Sequence, residues 1–104
     1  MVMPSRQETF GLSALEAMAS SRPVVAFDIE HLSEVLTPRW AVLTRAFDIE
    51  AYAAAVSSLW KEPGRCRQLG EAAFARARQH RWAEIARRQE QVYAEVVNSQ
   101  KAEC

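Results

Sequence analysis

The sequence has few of the residues from which metal centres and disulfide frameworks are built. It contains two cysteines and two histidines among 104 residues. Cys66 lies at apolar helical spacing and Cys104 is the last residue, so the two do not resemble a disulfide framework. His31 and His80 lie far apart in unlike contexts, and neither an Asp-x-Asp motif nor a Cys/His cluster with ligand spacing occurs. We therefore expect no metal site and no bound cofactor.

Long apolar runs are also missing. Charged residues interrupt every apolar run well short of the ~18 residues that a membrane span requires. No signal-peptide pattern is present either. Together with the sparse cysteines, these absences predict a reduced, cytoplasmic protein.

An excess of charge of one sign is missing as well, with 13 basic and 13 acidic residues. Nothing in this balance indicates a nucleic-acid partner. The halves differ, because residues 1–52 carry a net charge of −3 and residues 53–104 a net charge of +3. The basic half includes a run of arginines, namely Arg76, Arg78, Arg81, Arg87 and Arg88. Such a run is typical of a solvated helix face, and an anionic membrane surface is the alternative.

What the sequence does contain is an apolar fraction of 49%, ample for the core of one small domain or of a piece of a larger one. Short apolar runs alternate with helical periodicity before the pattern becomes entirely helical. The predicted elements, in order, are a strand ending at Val2-Met3, a polar loop over 5–10, a helix over Leu12–Ser20, a strand over Pro23–Phe27, a helix over Leu32–Leu36, a strand over Ala41–Thr44, a helix from an Asp48 cap to Trp60, a turn at Pro63-Gly64, a helix to Gln79 and a helix over Trp82–Val97.

This order predicts an α/β fold, a partial Rossmann-like half-domain with a helical C-terminal tail. We divide it into an α/β portion over residues 1–60 and C-terminal helices over residues 61–104. The last helix carries an apolar stripe that includes Trp82, Ile85 and Tyr93, and such a stripe is typical of a core-facing helix.

The most informative segment runs from Glu8 to Ala19. Gly11 stands where the loop becomes a helix, and the first N–H groups of a helix have no intrahelical partner. Those groups and the helix dipole favour an anion. Glu16 follows one turn later, on the side that we expect to be buried, where a sugar diol would satisfy its carboxylate. The alternative is an ordinary helix N-terminus with two surface glutamates.

A wider string of residues favours the ligand-binding interpretation. It consists of Pro4-Ser5-Arg6, Glu8, Phe10-Gly11, Leu15-Glu16-Ala17-Met18-Ala19 and Pro23-Val24-Val25-Ala26. Here the chain resembles the retaining glycosyltransferases of family 4 (glycosyl transferases group 1) with their E-x7-E signature. The likeness is close over the first quarter of the chain and looser as far as the helix near Trp82.

The resemblance implies the C-terminal part of a GT-B fold that binds a nucleotide-diphospho-sugar as its donor substrate. Glu16 would bind the ribose hydroxyls, and Glu8 would be the catalytic residue near the transferred sugar. The backbone of Phe10, Gly11 and Leu12 would approach the sugar and the diphosphate. It also implies a metal-free mechanism in which amides and basic side chains balance the diphosphate charge.

The chain departs from the family pattern in two places and in its extent. Ser21 replaces a glycine that usually ends the first helix, and Glu30-His31 replaces a frequent Gly-Gly turn. The chain matches only the end of the second of two domains. We therefore expect that a first domain or a partner subunit supplies the acceptor site, and that this fragment is inactive alone.

Three functions stay open at this point. The chain is a donor-binding part of an enzyme, a non-catalytic nucleotide-sugar binding module, or a helical remnant that serves association. The third function, and the apolar faces at Trp60, Trp82 and Tyr93, predict a homo-oligomer.

Overall fold

The computed structural model describes residues 1–8 and 11–103. It consists of a parallel sheet with helices around it. The elements are β1 (Val2–Met3), α1 (Leu12–Ala19), β2 (Val24–Asp28), α2 (Leu32–Val35), β3 (Ala41–Arg45), α3 (Ile49–Lys61), α4 (Pro63–Ala77), a 3-10 turn (Arg78–His80) and α5 (Trp82–Glu103). The predicted α/β half-domain with a helical tail is confirmed.

The sheet places β2 between its two parallel neighbours, in the order β1-β2-β3. Val25 pairs with Val2 on one side and with Val42 on the other. The run Val24–Phe27 is buried along its whole length, as a parallel strand covered on both faces requires. Because all three strands run the same way, the loops that follow β1 and β2 lie at one edge of the sheet.

The hydrophobic core lies between the sheet and helices α1, α2 and α4. Among its largest fully buried side chains are Met18, Leu32 and Leu36. Its members are Met3, Ala14, Met18, Val24, Ala26, Leu32, Val35, Leu36, Ala41, Ala73 and Ala77. Residues of α4 therefore share one core with the sheet. The predicted division into an α/β portion over residues 1–60 and C-terminal helices over residues 61–104 stays a prediction.

Helix α1 ends in a left-handed turn at Ser21, whose φ is 57°. The N–H of Ser21 donates to the carbonyl of Met18, and the N–H of Arg22 donates to that of Ala17. This double hydrogen bond is a Schellman motif, in which glycine is usual and serine costs roughly 1 kcal/mol. Helix α4 packs on this turn through Gly70, where an added Cβ would lie 2.2 Å from the Ser21 carbonyl oxygen.

Helix α3 is capped and anchored by two polar side chains. Asp48 Oδ1 accepts a hydrogen bond from the Ala51 N–H at 2.9 Å, which confirms the predicted cap. The Tyr52 hydroxyl accepts from the Met3 N–H at 2.8 Å and donates to the Val25 carbonyl at 3.1 Å. One side chain thus bridges β1 and β2. Ile49, in the first turn of α3, is exposed.

Two expectations about the helical tail are wrong. Residues Pro63 and Gly64 form the first turn of α4 instead of a separate turn, since proline at the first helical position needs no N–H partner. The stripe on α5 is not core: Trp82 is 82% exposed and Tyr93 63% exposed, because α5 packs on the domain only near its start. Within the described residues, no helix is both long and apolar enough to cross a bilayer.

The contact between Gly70 and Ser21 gives a first prediction. Gly70→Ala should destabilise the chain by about 2–3 kcal/mol, because the new methyl group meets backbone that cannot rotate away. Chemical denaturation measures the loss. Gly64→Ala is the matched control, since a Cβ there meets nothing within 4 Å. It should be neutral or stabilise by up to about 1 kcal/mol. Equal losses in both variants would show that α4 does not seat on this turn.

The Tyr52 bridge gives a second prediction. Burial raises the pKa of Tyr52, so the neutral phenol is favoured in the folded state. The stabilisation that the folded state gains from the neutral Tyr52 phenol is complete below the ordinary tyrosine pKa of ~10. It is lost as the pH rises above that value. We expect stability to fall above that pH in the wild type and to fall less in Tyr52→Phe. At neutral pH the variant should lose about 1–3 kcal/mol, because two backbone groups lose their partner. Urea titrations at several pH values test both statements.

Candidate functional site

Two loops at the carboxyl edge of the sheet enclose a cavity of about 680 Å³. One loop joins β1 to α1 and the other joins β2 to α2. The lining residues are Arg6, Gln7, Glu8, Ile29, Glu30 and His31. Both loops therefore lie on the same rim of the sheet. We call this space the strand-edge cavity.

Glu8 is half-buried in the strand-edge cavity. Its Oε1 accepts a hydrogen bond from the Ser5 hydroxyl at 3.0 Å, which steadies the carboxylate within its own loop. Arg6 lies on the same loop with its guanidinium 5.3 Å from the centre of the Phe47 ring. An arginine over an aromatic face is held in place by the charge distribution of the ring. The loop thus presents one acid and one base to the cavity.

Gly11 is buried and immediately precedes α1, with φ 83° and ψ 46°. The left-handed conformation favours glycine, and an added Cβ would lie 2.9 Å from Leu32 Cδ2, so the Leu32 side chain would have to shift. The Gly11 carbonyl accepts the N–H groups of Ala14 and Leu15, at 3.0 and 3.2 Å. Among the described residues, no side chain caps the beginning of the helix. Phe10, predicted beside it, lies outside the described residues.

Glu16 is exposed, so the expectation that it lies on the buried side of α1 is wrong. The buried face runs through Ala14 and Met18. Glu16 lies two positions from each, which places it about 200° around the helix from both. Leu12, also a predicted donor-binding residue, is 62% exposed on the same outer face.

Glu16 and Leu12 line a second cavity, of about 390 Å³, between α1 and the beginning of α5. The remaining lining residues are Leu15, Ala19, Ala77, His80, Trp82 and Ile85. Nδ1 of His80 is buried and has no hydrogen-bond partner in the part of the chain that the structure describes. We call this space the helix cavity. The two glutamates of the E-x7-E signature therefore lie in different cavities.

Sequence reasoning missed the partners of Glu16 in the helix cavity. His80, Trp82 and Ile85 follow it by more than 60 positions, and no local pattern connects them to it. The helical spacing of Trp82 indicated core packing instead. Across residues 1–8 and 11–103, no group of three or more His, Cys, Asp or Glu side chains is placed to hold a metal ion.

The arginine run of the basic half is largely engaged. Arg87 and Arg88 both pair with Glu84. The Arg87 hydrogen bond lowers the pKa of the Glu84 carboxyl. Arg76 and Arg78 lie over the rings of Trp40 and Phe74, at 5.5 and 5.9 Å. Four of the five arginines of the run thus contact acidic or aromatic side chains of the chain, and the membrane surface stays a prediction.

Comparison with known proteins assigns the family. The family model for glycosyl transferases group 1 matches residues 1–62. The chain belongs to this family. It carries the signature Glu8 and Glu16 within the matched region, one in each cavity.

Several relatives share the likeness over nearly the whole chain. A D-inositol 3-phosphate glycosyltransferase of Corynebacterium aurimucosum is 33% identical over 105 positions, covering 100% of this chain and 25% of the relative. An alpha-maltose-1-phosphate synthase of Mycolicibacterium smegmatis is 39% identical over 103 positions, covering 91% and 27%. The chain thus spans about a quarter of the length of these relatives.

A solved structure agrees with the fold. The sucrose-phosphate synthase of Thermosynechococcus elongatus superposes with a TM-score of 0.86 at 32% sequence identity. The match covers 94% of this chain and 25% of that enzyme. The chain therefore has the fold of the C-terminal part of a GT-B glycosyltransferase.

The position of Gly11 gives a third prediction. Gly11→Ala should destabilise the chain by about 1–3 kcal/mol, because alanine must adopt a left-handed conformation and press on Leu32. It should also shift the NMR signals of α2, which the new methyl group contacts. The control is Ser13→Ala, an exposed position two residues into the same helix. If Gly11→Ala behaves like this control, the tight approach of α1 to α2 is absent.

Proposed function

We propose that this chain is the donor-binding part of a retaining glycosyltransferase and that its ligand is a nucleotide-diphospho-sugar. One observation carries the proposal. In a member of this family, the uncapped beginning of α1 lies between Glu8 in one cavity and Glu16 in another. A nucleotide sugar has a matching order of chemical groups: a sugar, a charged diphosphate and a ribose.

The diphosphate would lie against the beginning of α1. The first N–H groups of a helix are unpaired and carry part of the positive end of the helix dipole. No acidic side chain occurs in the first turn of α1 to oppose an anion. Gly11 lets the backbone approach closely because it has no side chain. These groups stabilise the charge on the leaving diphosphate without a metal ion.

The two glutamates would hold the two ends of the donor. Glu8, steadied by Ser5, would contact the transferred sugar in the strand-edge cavity and act as the catalytic residue. Glu16 would accept hydrogen bonds from the ribose hydroxyls in the helix cavity, where the Nδ1 of His80 offers a further polar partner.

The acceptor would be held elsewhere. The relatives are about four times as long as this chain, so a first domain or a partner subunit is the proposed source of the acceptor site. We propose that the chain binds its donor but transfers sugar only with that part. A donor-hydrolysis assay on the chain, with and without a separately expressed partner domain, tests whether sugar transfer requires that domain.

Association is a second candidate function, and the exposed α5 stripe favours it. Val92, Tyr93 and Val96 are all more than half exposed on one side of the helix. Size-exclusion chromatography with light scattering separates the candidates. A monomer that binds nucleotide sugars supports the enzyme part, whereas an oligomer that binds none supports an association element.

The ribose assignment gives a fourth prediction. Glu16→Gln should weaken the binding of UDP-glucose, GDP-mannose or ADP-glucose, whichever the chain binds, by about 1–3 kcal/mol, because a charged acceptor is lost. Isothermal titration or NMR measures the change. Glu90→Gln, on the exposed side of α5, is the control with the same change in charge. Unchanged affinity in Glu16→Gln would remove Glu16 from the donor site.

A further inference from the structure

We propose that the loop between β2 and α2 selects the transferred sugar by its charge and shape. In this proposal Glu30 rejects a sugar that carries a carboxylate, and His31 contacts the sugar hydroxyl groups. The inference rests on the proposed donor-binding function and adds the class of sugar, an uncharged or amino sugar instead of a uronic acid.

The position of the loop is the first support. The strand-edge cavity has two walls, one formed by Arg6, Gln7 and Glu8 and the other by Ile29, Glu30 and His31. Because both walls line the same space, a sugar that touches Glu8 lies beside the second wall as well. The cavity is half open to solvent, and its volume lies in the range of small-molecule sites. The second wall therefore lies within reach of whatever the first wall binds.

The charge of the cavity is the second support. Its lining contains two carboxylates, Glu8 and Glu30, and one guanidinium, Arg6. The guanidinium keeps its positive charge over the Phe47 ring, so these three side chains together carry one net negative charge. A third carboxylate, Glu34, lies next to the cavity, with its Oε1 4.0 Å from His31 Nδ1. A uronic acid would add one more negative charge to this group, whereas a neutral sugar would not. Like charges brought together in a partly enclosed space disfavour binding.

The backbone of His31 is the third support. Three residues other than glycine have positive φ, namely Ser21, His31 and Phe47, within the described part of the chain. Ser21 is compensated by its double hydrogen bond. Phe47 is compensated by ring contacts, with its centroid 5.8 Å from that of Phe27. The backbone strain at Ser21 and Phe47 is therefore offset by these contacts.

The His31 backbone opens α2, and its carbonyl accepts the Glu34 N–H at 3.3 Å. Its φ is 71° and its ψ −37°, and its side chain makes no capping hydrogen bond. That side chain is 49% exposed, and the Glu34 carboxylate is at the edge of ion-pair distance. Glycine would adopt this conformation at lower cost. What histidine adds is an imidazole at the cavity wall, which can donate a hydrogen bond to a hydroxyl group or accept one.

The test compares pairs of donors that differ only in one carboxylate. NMR titration of the chain measures Kd for UDP-glucose and UDP-glucuronate, and for GDP-mannose and GDP-mannuronate. The ratio of Kd values within a pair cancels the effect of the nucleotide. In the wild type the uronic acid donor should bind more weakly. In Glu30→Gln the ratio should fall about fivefold to tenfold, as expected for the removal of one nearby charge.

Glu90→Gln is the control, because it removes the same charge far from the cavity and should leave the ratio unchanged. If donors bind and Glu30→Gln leaves the ratio as it is in the wild type, the inference about sugar charge is wrong while the donor site stands. If no nucleotide sugar shifts any signal of α1, the proposed function fails and this inference fails with it.

His31→Gly separates a binding role from a structural one. Relief of the positive φ should raise the melting temperature. The loss of the imidazole should weaken nucleotide-sugar binding about threefold to tenfold while leaving the binding of the plain nucleoside diphosphate unchanged. A variant that is more stable and binds the sugar donor as tightly as the wild type would exclude His31 from sugar recognition.

Discussion

The parallel pairing of β2 with β1 and β3 is the constraint on which the rest of the structure depends. It places the carboxyl ends of β1 and β2 side by side, so two loops distant in sequence become the facing walls of one cavity. It also requires a buried helix on the return path, and α1 fills that place with Ala14 and Met18. The beginning of α1 then points to the same edge, where its unpaired N–H groups become available to an anion.

Much of this arrangement could be predicted from the sequence because it depends on local chemistry. The valine-rich run before Phe27 is typical of a buried parallel strand, and Asp48 is a strong helix cap. Ser21 could be placed at the end of α1 because the family resemblance puts a helix-ending glycine at that position. The E-x7-E spacing identified the family, which the comparisons show. These features need only neighbouring residues to be interpreted.

The rest depends on contacts that the local sequence does not specify. Glu16 lies on the outer face of α1 because the opposite side of the helix meets the sheet. The helix has two apolar faces, and the local sequence does not show which of them is buried. The stripe on α5 has core spacing, yet only the beginning of α5 packs on the described domain. The helix cavity joins Glu16 to His80 and Trp82, whose proximity follows from the seating of α4 against Ser21 through Gly70. None of these contacts can be recognised from a pattern of neighbouring residues in the sequence.

The central claim is that the two cavities flanking α1 hold the two ends of one donor molecule. NMR titration of the chain with a nucleoside diphosphate and then with the corresponding nucleotide sugar tests it most directly. Both ligands should shift the backbone signals of Gly11, Leu15 and His80. Only the sugar-bearing ligand should shift those of Gln7, Ile29 and His31. Sugar-dependent shifts confined to the helix cavity, or identical shifts with both ligands, would contradict the account.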